Sequence, residues 1–178
     1  AATAPSLTDF LIRRAAPGDA AGLVALGRAV SAEPEGWLIT VGGWRGPADE
    51  RRYLRAIRRS PHAAVFVAEA SEQIVARLSL ARDPHPGSPH VADLGLMVAA
   101  EYRRRGIGSA LLEEAVAWAR EVEIEKLELH VFPHNEPAIR LYEDFGFQRE
   151  GLRRRHYRRG NEYVDAILMA YEVPTLKT

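Results

Sequence analysis

The stretch Glu101–Leu112, EYRRRGIGSALL, sets three arginines directly before a Gly-Ile-Gly step and then an apolar, alanine-rich pattern of helical period. The segment upstream, Val91–Val98 (VADLGLMV), reads as a strand. Strand, basic turn, glycine pair and helix, in that order, suit an anion. Glycines let the backbone approach a ligand, the first turn of a helix offers unpaired N–H groups at the positive end of its dipole, and arginines add full charge. The chemistry this points to is a diphosphate cradle. A Walker A loop is excluded, because Gly108 is followed by Ser109-Ala110 rather than by Lys-Ser/Thr. A dinucleotide G-x-G-x-x-G fingerprint, and with it a nucleotide-binding oxidoreductase, is disfavoured by Leu111 in the third glycine place. The plainer alternative is a helix-starting turn beside a solvated arginine cluster at Arg103–Arg105.

A second constellation is Asn135–Phe147, NEPAIRLYEDFGF. Ala138, Leu141, Tyr142 and Phe145 follow the i, i+3, i+4, i+7 spacing of one helix face. On periodicity alone Tyr142 is a half-buried core tyrosine whose hydroxyl needs a partner. Asp93, in the strand before the cradle, and Glu128 and His130, alternating along KLELHVF, are strand polar residues that could also take a proton. His85 and His90 sit in a Pro/Gly loop with no acidic partner at ligand spacing, so no metal site is expected. Arginines crowd Arg149–Arg159 around His156 and Tyr157. A solvated strand edge explains that run as well as an anion site does.

The elements that must position these groups follow from pattern. Phe10–Arg14 is a short strand and Pro17-Gly18-Asp19 a turn, with Asp19 a helix cap. Ala20–Val30 is helical, and Ser31–Pro47 is irregular, rich in glycine and holding Trp37 and Trp44. That loop either covers the core or walls a substrate site. Ala48–Arg59 is a second helix. Ala63–Ala70 and Gln73–Arg82 alternate at period two around Ser71-Glu72, a hairpin. Val91–Val98 precedes a long helix, Gly106–Glu121, with Ile107, Leu111, Ala115 and Trp118 on its buried stripe and Val122 just beyond. Lys126–Phe132 is a strand, and Glu136–Phe145 a short helix stopped by Gly146. Gln148–Arg158 and Glu162–Tyr171 pair around Arg159-Gly160-Asn161. The order β-α-α-β-β-β-α-β-α-β-β predicts a mixed α/β sheet with helices on its faces, one domain over residues 10–173, and tails at 1–9 and 174–178.

Composition narrows the class. With 178 residues, 47% of them hydrophobic and 27% charged, the chain can bury a core without staples. A formal net charge of zero argues against bulk nucleic-acid or membrane binding. The absence of cysteine excludes disulfides, thiolate metal sites and a cysteine nucleophile, and is compatible with a cytoplasmic location. No apolar run long enough to span a bilayer occurs, and AATAPSLTDF lacks the basic and apolar regions of a signal peptide.

Taken together, R-x-x-G-x-G after a strand and N-x-x-A-x-x-x-Y-x-x-x-G-F after the next one resemble the GNAT superfamily of N-acetyltransferases. The matching residues are Arg103, Gly106 and Gly108, then Asn135, Ala138, Tyr142, Gly146 and Phe147. The resemblance is nearest to bacterial members that acetylate protein N-termini, small amines or amino acids. It implies a GNAT fold and acetyl-CoA as cosubstrate. It assigns the pyrophosphate to backbone amides of Arg104, Arg105, Gly106, Ile107, Gly108 and Ser109, with Arg103–Arg105 as charge support. It assigns the pantetheine arm to the edge of Leu96, Met97 and Val98, as a missing strand would pair there. The amide of Met97 or Val98 would polarise the thioester carbonyl, Asn135 would contact the cofactor arm, and Tyr142 would protonate the departing thiolate.

An alkyl ammonium, with a pKa of about 10, must lose a proton before it attacks. The resemblance places a base at Asp93, where some members carry glutamate, or at His130. Ribosomal-protein alanine acetyltransferases carry glutamate at the latter position, and this chain departs from them. The implied partners are acetyl-CoA and an amine acceptor, with no nucleic acid, membrane or metal; dimers are common among such proteins. A non-catalytic acyl-CoA-binding domain of the same fold is the alternative, disfavoured by the intact Asn135 and Tyr142.

Overall fold

The computed structural model describes residues 9–39 and 45–175. Seven strands form one sheet: β1 (Leu11–Arg14), β2 (Ala63–Ala70), β3 (Gln73–Arg82), β4 (Val91–Val98), β5 (Lys126–Val131), β6 (Gln148–Arg159) and β7 (Glu162–Glu172). Their spatial order is β1-β2-β3-β4-β5-β7-β6. Every neighbouring pair is antiparallel except β4 with β5. The mixed sheet expected from the element order is therefore present, and its one parallel pair lies at the centre. The β2–β3 hairpin turns at Ser71 and Glu72, both with positive φ (49° and 61°), the twist that a two-residue hairpin favours.

Four helices cover the sheet: α1 (Ala20–Ser31), α2 (Pro47–Ile57), α3 (Ile107–Glu121) and α4 (Glu136–Phe145). Helix α2 begins a residue earlier and ends two earlier than its pattern suggests, because Pro47 is suited to a first helical position after Gly46. On one face, Leu111, Leu112, Ala115 and Trp118 of α3 and Ile139 and Tyr142 of α4 bury against Phe66, Leu78, Leu80, Leu94, Leu127 and Leu129. On the other, Leu23 of α1 and Leu54 of α2 bury Val65 and Val67, while Leu26 and Val30 of α1 meet Met97 of β4. Glu50 of α2 is buried there and is paired with Arg77 of β3 at 2.9 Å. Strand β6 is the sheet edge and almost wholly exposed, so the arginine run lies along a solvated edge, a position compatible with either of its two readings.

Strands β4 and β5 pair only from Val91–Lys126 to Asp93–Glu128. Beyond that point β4 continues to Val98 and β5 to Val131 without pairing, so the sheet opens into a cleft. Helices α3 and α4 flank this opening and approach one another closely at Gly108. A Cβ placed there would come within 2.7 Å of the Leu141 side chain. Gly108 thus serves helix packing, and the other glycine of the pair, Gly106, serves the turn. Gly108→Ala is expected to destabilise the fold by about 1–3 kcal/mol through overpacking, read as a lower midpoint in urea unfolding with an unchanged slope.

Candidate active site

The backbone of β4 shows which groups line the cleft. Ala99 N–H donates to Val75 C=O and Val91 C=O accepts from Asp83 N–H, both on the β3 side. No register shift interrupts the β3–β4 ladder. Alternation therefore turns Gly95 and Met97 toward β3, and Leu96 and Val98 toward the opening. Of the two amides considered for polarising a carbonyl in the cleft, Met97 is engaged with β3, while the N–H of Val98 faces the gap. The Val98 carbonyl is taken by Arg103 Nε at 3.0 Å.

The turn after β4 forms the anion cradle. Arg104 and Gly106 both adopt left-handed backbone (φ 60° and 83°), and Gly106 is the N-cap of α3 with no side-chain cap. Nothing lies within 4 Å of a Cβ placed on Gly106, so the space in front of the helix is open. Ala110 N–H is the first to bond back, to Gly106 C=O. The N–H groups of Ile107, Gly108 and Ser109 are the orphan donors of a helix start, and they suit an anion. The arginines divide. Arg103 is spent on Val98 and on Glu33, which it grips at 2.7 Å through both terminal nitrogens. Arg105 lies over the Tyr102 ring, and Arg104 is exposed with no partner among the described residues. Of the three, Arg104 and Arg105 have no carboxylate partner among the described residues, whereas Arg103 has one.

Helix α4 delivers Tyr142. Asn135 caps it, its side-chain oxygen accepting from Ala138 N–H at 3.3 Å, so both residues have a structural role in the helix start. Tyr142 is buried, more deeply than the half-burial its periodicity suggests, because Ile139 joins it on the inner face. Its ring packs 5.5 Å from Phe147. Burial, and to a lesser degree the charge of Asp93, push its phenol well above the ordinary tyrosine value. It therefore stays protonated at neutral pH.

The residues expected as candidate bases lie on the opposite face. Asp93, Glu128 and His130 project away from α3 and α4, since the alternate residues Ala92, Leu94, Leu127 and Leu129 fill the core. Asp93 stands at the last paired position before the opening. Its surface is open to solvent, yet protein crowds it on the cleft wall, and that burial, then Glu128, then Asp83, raise its carboxyl to about 6. His130 Nδ1 lies 2.7 Å from the Tyr157 hydroxyl. Burial, then Arg153 and His156, hold its imidazole below the ordinary histidine value, so it is neutral near pH 7. The sequence marked Tyr157 only as a member of the arginine run, not as a partner of His130. A two-residue register shift in β6, between Arg153 and Tyr157, leaves its facing unchanged and sets its position along β7, opposite Val164. Arg153, Tyr157 and Arg159 pair with Ala166, Val164 and Glu162, which puts all three on the His130 face. Among the described residues no group of three His, Cys, Asp or Glu side chains could hold a metal, and no helix is long and apolar enough to cross a membrane. Trp44 lies outside the described residues.

An opened parallel pair, an anion cradle at the following helix and a buried tyrosine across the gap define an acyltransferase of the GNAT type. Residues 31–147 match the model of the Acetyltransferase (GNAT) family, and the chain belongs to that family of acetyl-CoA-dependent N-acetyltransferases. It is 32% identical over 168 residues to the L-amino acid N-acetyltransferase AaaT of Escherichia coli K12, covering 92% of this chain and 98% of the relative. It also resembles the structure of a GNAT-family acetyltransferase from Streptococcus pneumoniae, with a TM-score of 0.84, 29% identity, and coverage of 93% of this chain and 100% of the other. The fold is shared with the yncA acetyltransferase of Salmonella typhimurium solved with its cofactor acetyl-CoA, with a TM-score of 0.83, 15% identity, and coverage of 96% and 98%. The fold and cosubstrate that the sequence resemblance implied are those of the family.

The position of Asp93 has a consequence for stability. Its carboxyl is held to about 6 in the folded chain, against about 3.9 when unfolded. Between those values the unfolded chain ionises first, so the wild type loses stability as pH rises from about 4 to about 6, and the loss persists above. Asp93→Asn is therefore expected to melt at a higher temperature than wild type at pH 8 and at the same temperature at pH 3.5, by calorimetry across that range.

Proposed function

We propose that the chain moves the acetyl group of acetyl-CoA to a primary amine by direct attack, with Tyr142 as general acid. The amine nitrogen bonds to the thioester carbonyl carbon, the carbon–sulfur bond breaks, and the departing thiolate takes the Tyr142 proton. The proton lost by the amine passes to the opposite face, to Asp93 or to His130. The Val98 N–H is the donor best aimed at the developing oxyanion. Leu96 and Val98 offer the pantetheine a strand edge, and the amides of Arg104–Ser109 offer the pyrophosphate a helix start. The observation that carries this reading is the β4–β5 opening, with an uncharged phenol on one face and titratable bases on the other. The acceptor is a primary amine of the small-amine, amino-acid or protein N-terminal kind.

One side chain favours the free amino acid among these. Arg153 shares the His130 face, lies close enough to depress the His130 imidazole, and has no hydrogen-bond or ion-pair partner among the described residues. A cation beyond an acidic pair suits an acceptor that carries an ammonium and a carboxylate together, and AaaT is named for L-amino acids. A protein N-terminus has no such carboxylate.

Tyr142→Phe is expected to lower kcat by about 10²-fold or more, the scale of a lost general acid, while calorimetry finds acetyl-CoA affinity unchanged. An unaltered kcat in a thiol-release assay would reduce Tyr142 to a packing residue. A wild type that binds acetyl-CoA but releases no thiol with any amine would instead mark a binding domain. In the same assay L-alaninamide is expected to show a KM about tenfold or more above that of L-alanine, the scale of a lost charge-assisted hydrogen bond. Arg153→Ala is expected to erase that difference, whereas equal KM values in the wild type would point to a peptide N-terminus.

A further inference from the structure

Glu33 follows α1 in a stretch that reads as irregular, yet it is tightly engaged. Its two carboxylate oxygens accept from the two terminal nitrogens of Arg103, both at 2.7 Å. One of them also accepts from Trp37 Nε1 at 3.0 Å. Trp37 stacks on His134, with centroids 5.8 Å apart, and His134 stacks on Phe132 at 5.5 Å. His134 Nε2 lies 3.0 Å from the Glu35 carbonyl and 3.2 Å from that of Gly36. Arg159 donates to the same Gly36 carbonyl at 3.0 Å. Gly36 has positive φ, which favours glycine, and a Cβ there would displace the Arg159 guanidinium from the Gly36 carbonyl. Leu38 then packs into the cluster of Met97, Leu26 and Val30. Residues 33–38 thus form a strap that touches β4, the turn after it, the end of β5 and the end of β6, which are the walls of the cleft.

Arg103 is the joint between that strap and the anion cradle. Nε holds the Val98 carbonyl and one N–H of each terminal nitrogen holds Glu33, so neither two-donor edge of the fork is left whole to grip a phosphate, and two single N–H groups remain. A carboxylate placed beside a diphosphate site would repel the ligand unless its charge were already matched. Arg103 matches it. A fork of this kind fixes geometry as well as charge, which a lysine in its place would not do.

We propose that Glu33 is a positioning residue that turns Arg103 into a strut, holding the acetyl-CoA cradle in shape and tying it to the acceptor wall. This rests on the acetyl-CoA reading of the cradle. Because the strut joins the two walls, ligand binding at the cradle is felt at Trp37.

The sign of one substitution separates a strut from a phosphate ligand. If Arg103 contacted phosphate, Glu33→Gln would free its charge and tighten acetyl-CoA. As a strut, Glu33→Gln weakens acetyl-CoA by about five- to tenfold in calorimetric titration, as do Arg103→Ala and Arg103→Lys. The double variant Glu33→Gln/Arg103→Ala is no weaker than either single, because the pair acts as one unit. Acetyl-CoA is also expected to change the wild-type tryptophan emission, and Trp37→Phe to remove that change. Far-ultraviolet dichroism and melting confirm that each variant is folded, and Arg103→Lys keeps the charge where Arg103→Ala does not fold. Unchanged or tighter binding by Glu33→Gln, wild-type affinity in Arg103→Lys, multiplying effects in the double variant, or an emission change that survives in Trp37→Phe would each overturn the strut. A wild type that does not bind acetyl-CoA at all would overturn the cofactor reading itself, and the strut with it.

Discussion

The parting of β4 from β5 after Asp93 and Glu128 is the constraint on which the site depends. A central strand pair rarely leaves backbone groups unpaired, because each buried N–H or C=O without a partner costs about as much as a lost hydrogen bond. Here the edge of Leu96 and Val98 is held open on one side of the gap and that of His130 on the other. An opened pair in mid-sheet is a template for an extended, amide-bearing ligand. It persists because both flanks are pinned. Residues of α3 and α4 fill one face, and Met97 anchors β4 to α1 on the other.

The gap also separates chemistry that would otherwise interfere. Tyr142 comes from the α4 face, buried and protonated, while Asp93, Glu128, His130 and Tyr157 come from the other face. An acid and a base in direct contact would exchange the proton between themselves. In the proposed mechanism, set across a cleft, each would meet only the reacting group. Their charges still feel one another, since Asp93 raises both phenols, so the ionisation of the base and the proton affinity of the acid are coupled.

Most of the fold was legible because periodicity and turn chemistry are local. The hairpin at Ser71-Glu72, the stripe Ile107, Leu111, Ala115 and Trp118, and the stop at Gly146 were all readable from spacing. The strand order was not, because it depends on which distant segments meet. The site was legible where a motif carries a backbone requirement, as at Gly106, and not where long side chains choose partners. Nothing in three adjacent arginines shows that Arg103 turns inward to Glu33, about seventy residues away, while Arg104 stays in solvent. Likewise Tyr157 reaches His130 only because a bulge in β6, with Arg155 at φ 52° and its N–H on Asp165, resets the register.

The arginines, taken as a set, separate architecture from recognition. Arg13 bridges Asp19 and Glu69, Arg77 neutralises the buried Glu50, and Arg103 holds Glu33. Each couples elements far apart in sequence, and each is partly or largely withdrawn from solvent, where a forked guanidinium satisfies a carboxylate better than an ammonium does. The equal count of acidic and basic residues that gives zero net charge follows in part from such pairs. Of the arginines without such a partner, two stand beside the candidate site. Arg104 stands at the cradle and Arg153 at the acceptor face, both without partners among the described residues. A neutral protein can thus present two local cationic points, one at the turn after β4 and one on the face that carries His130. In the proposed function one would meet the phosphates of the donor and the other a negative group on the acceptor.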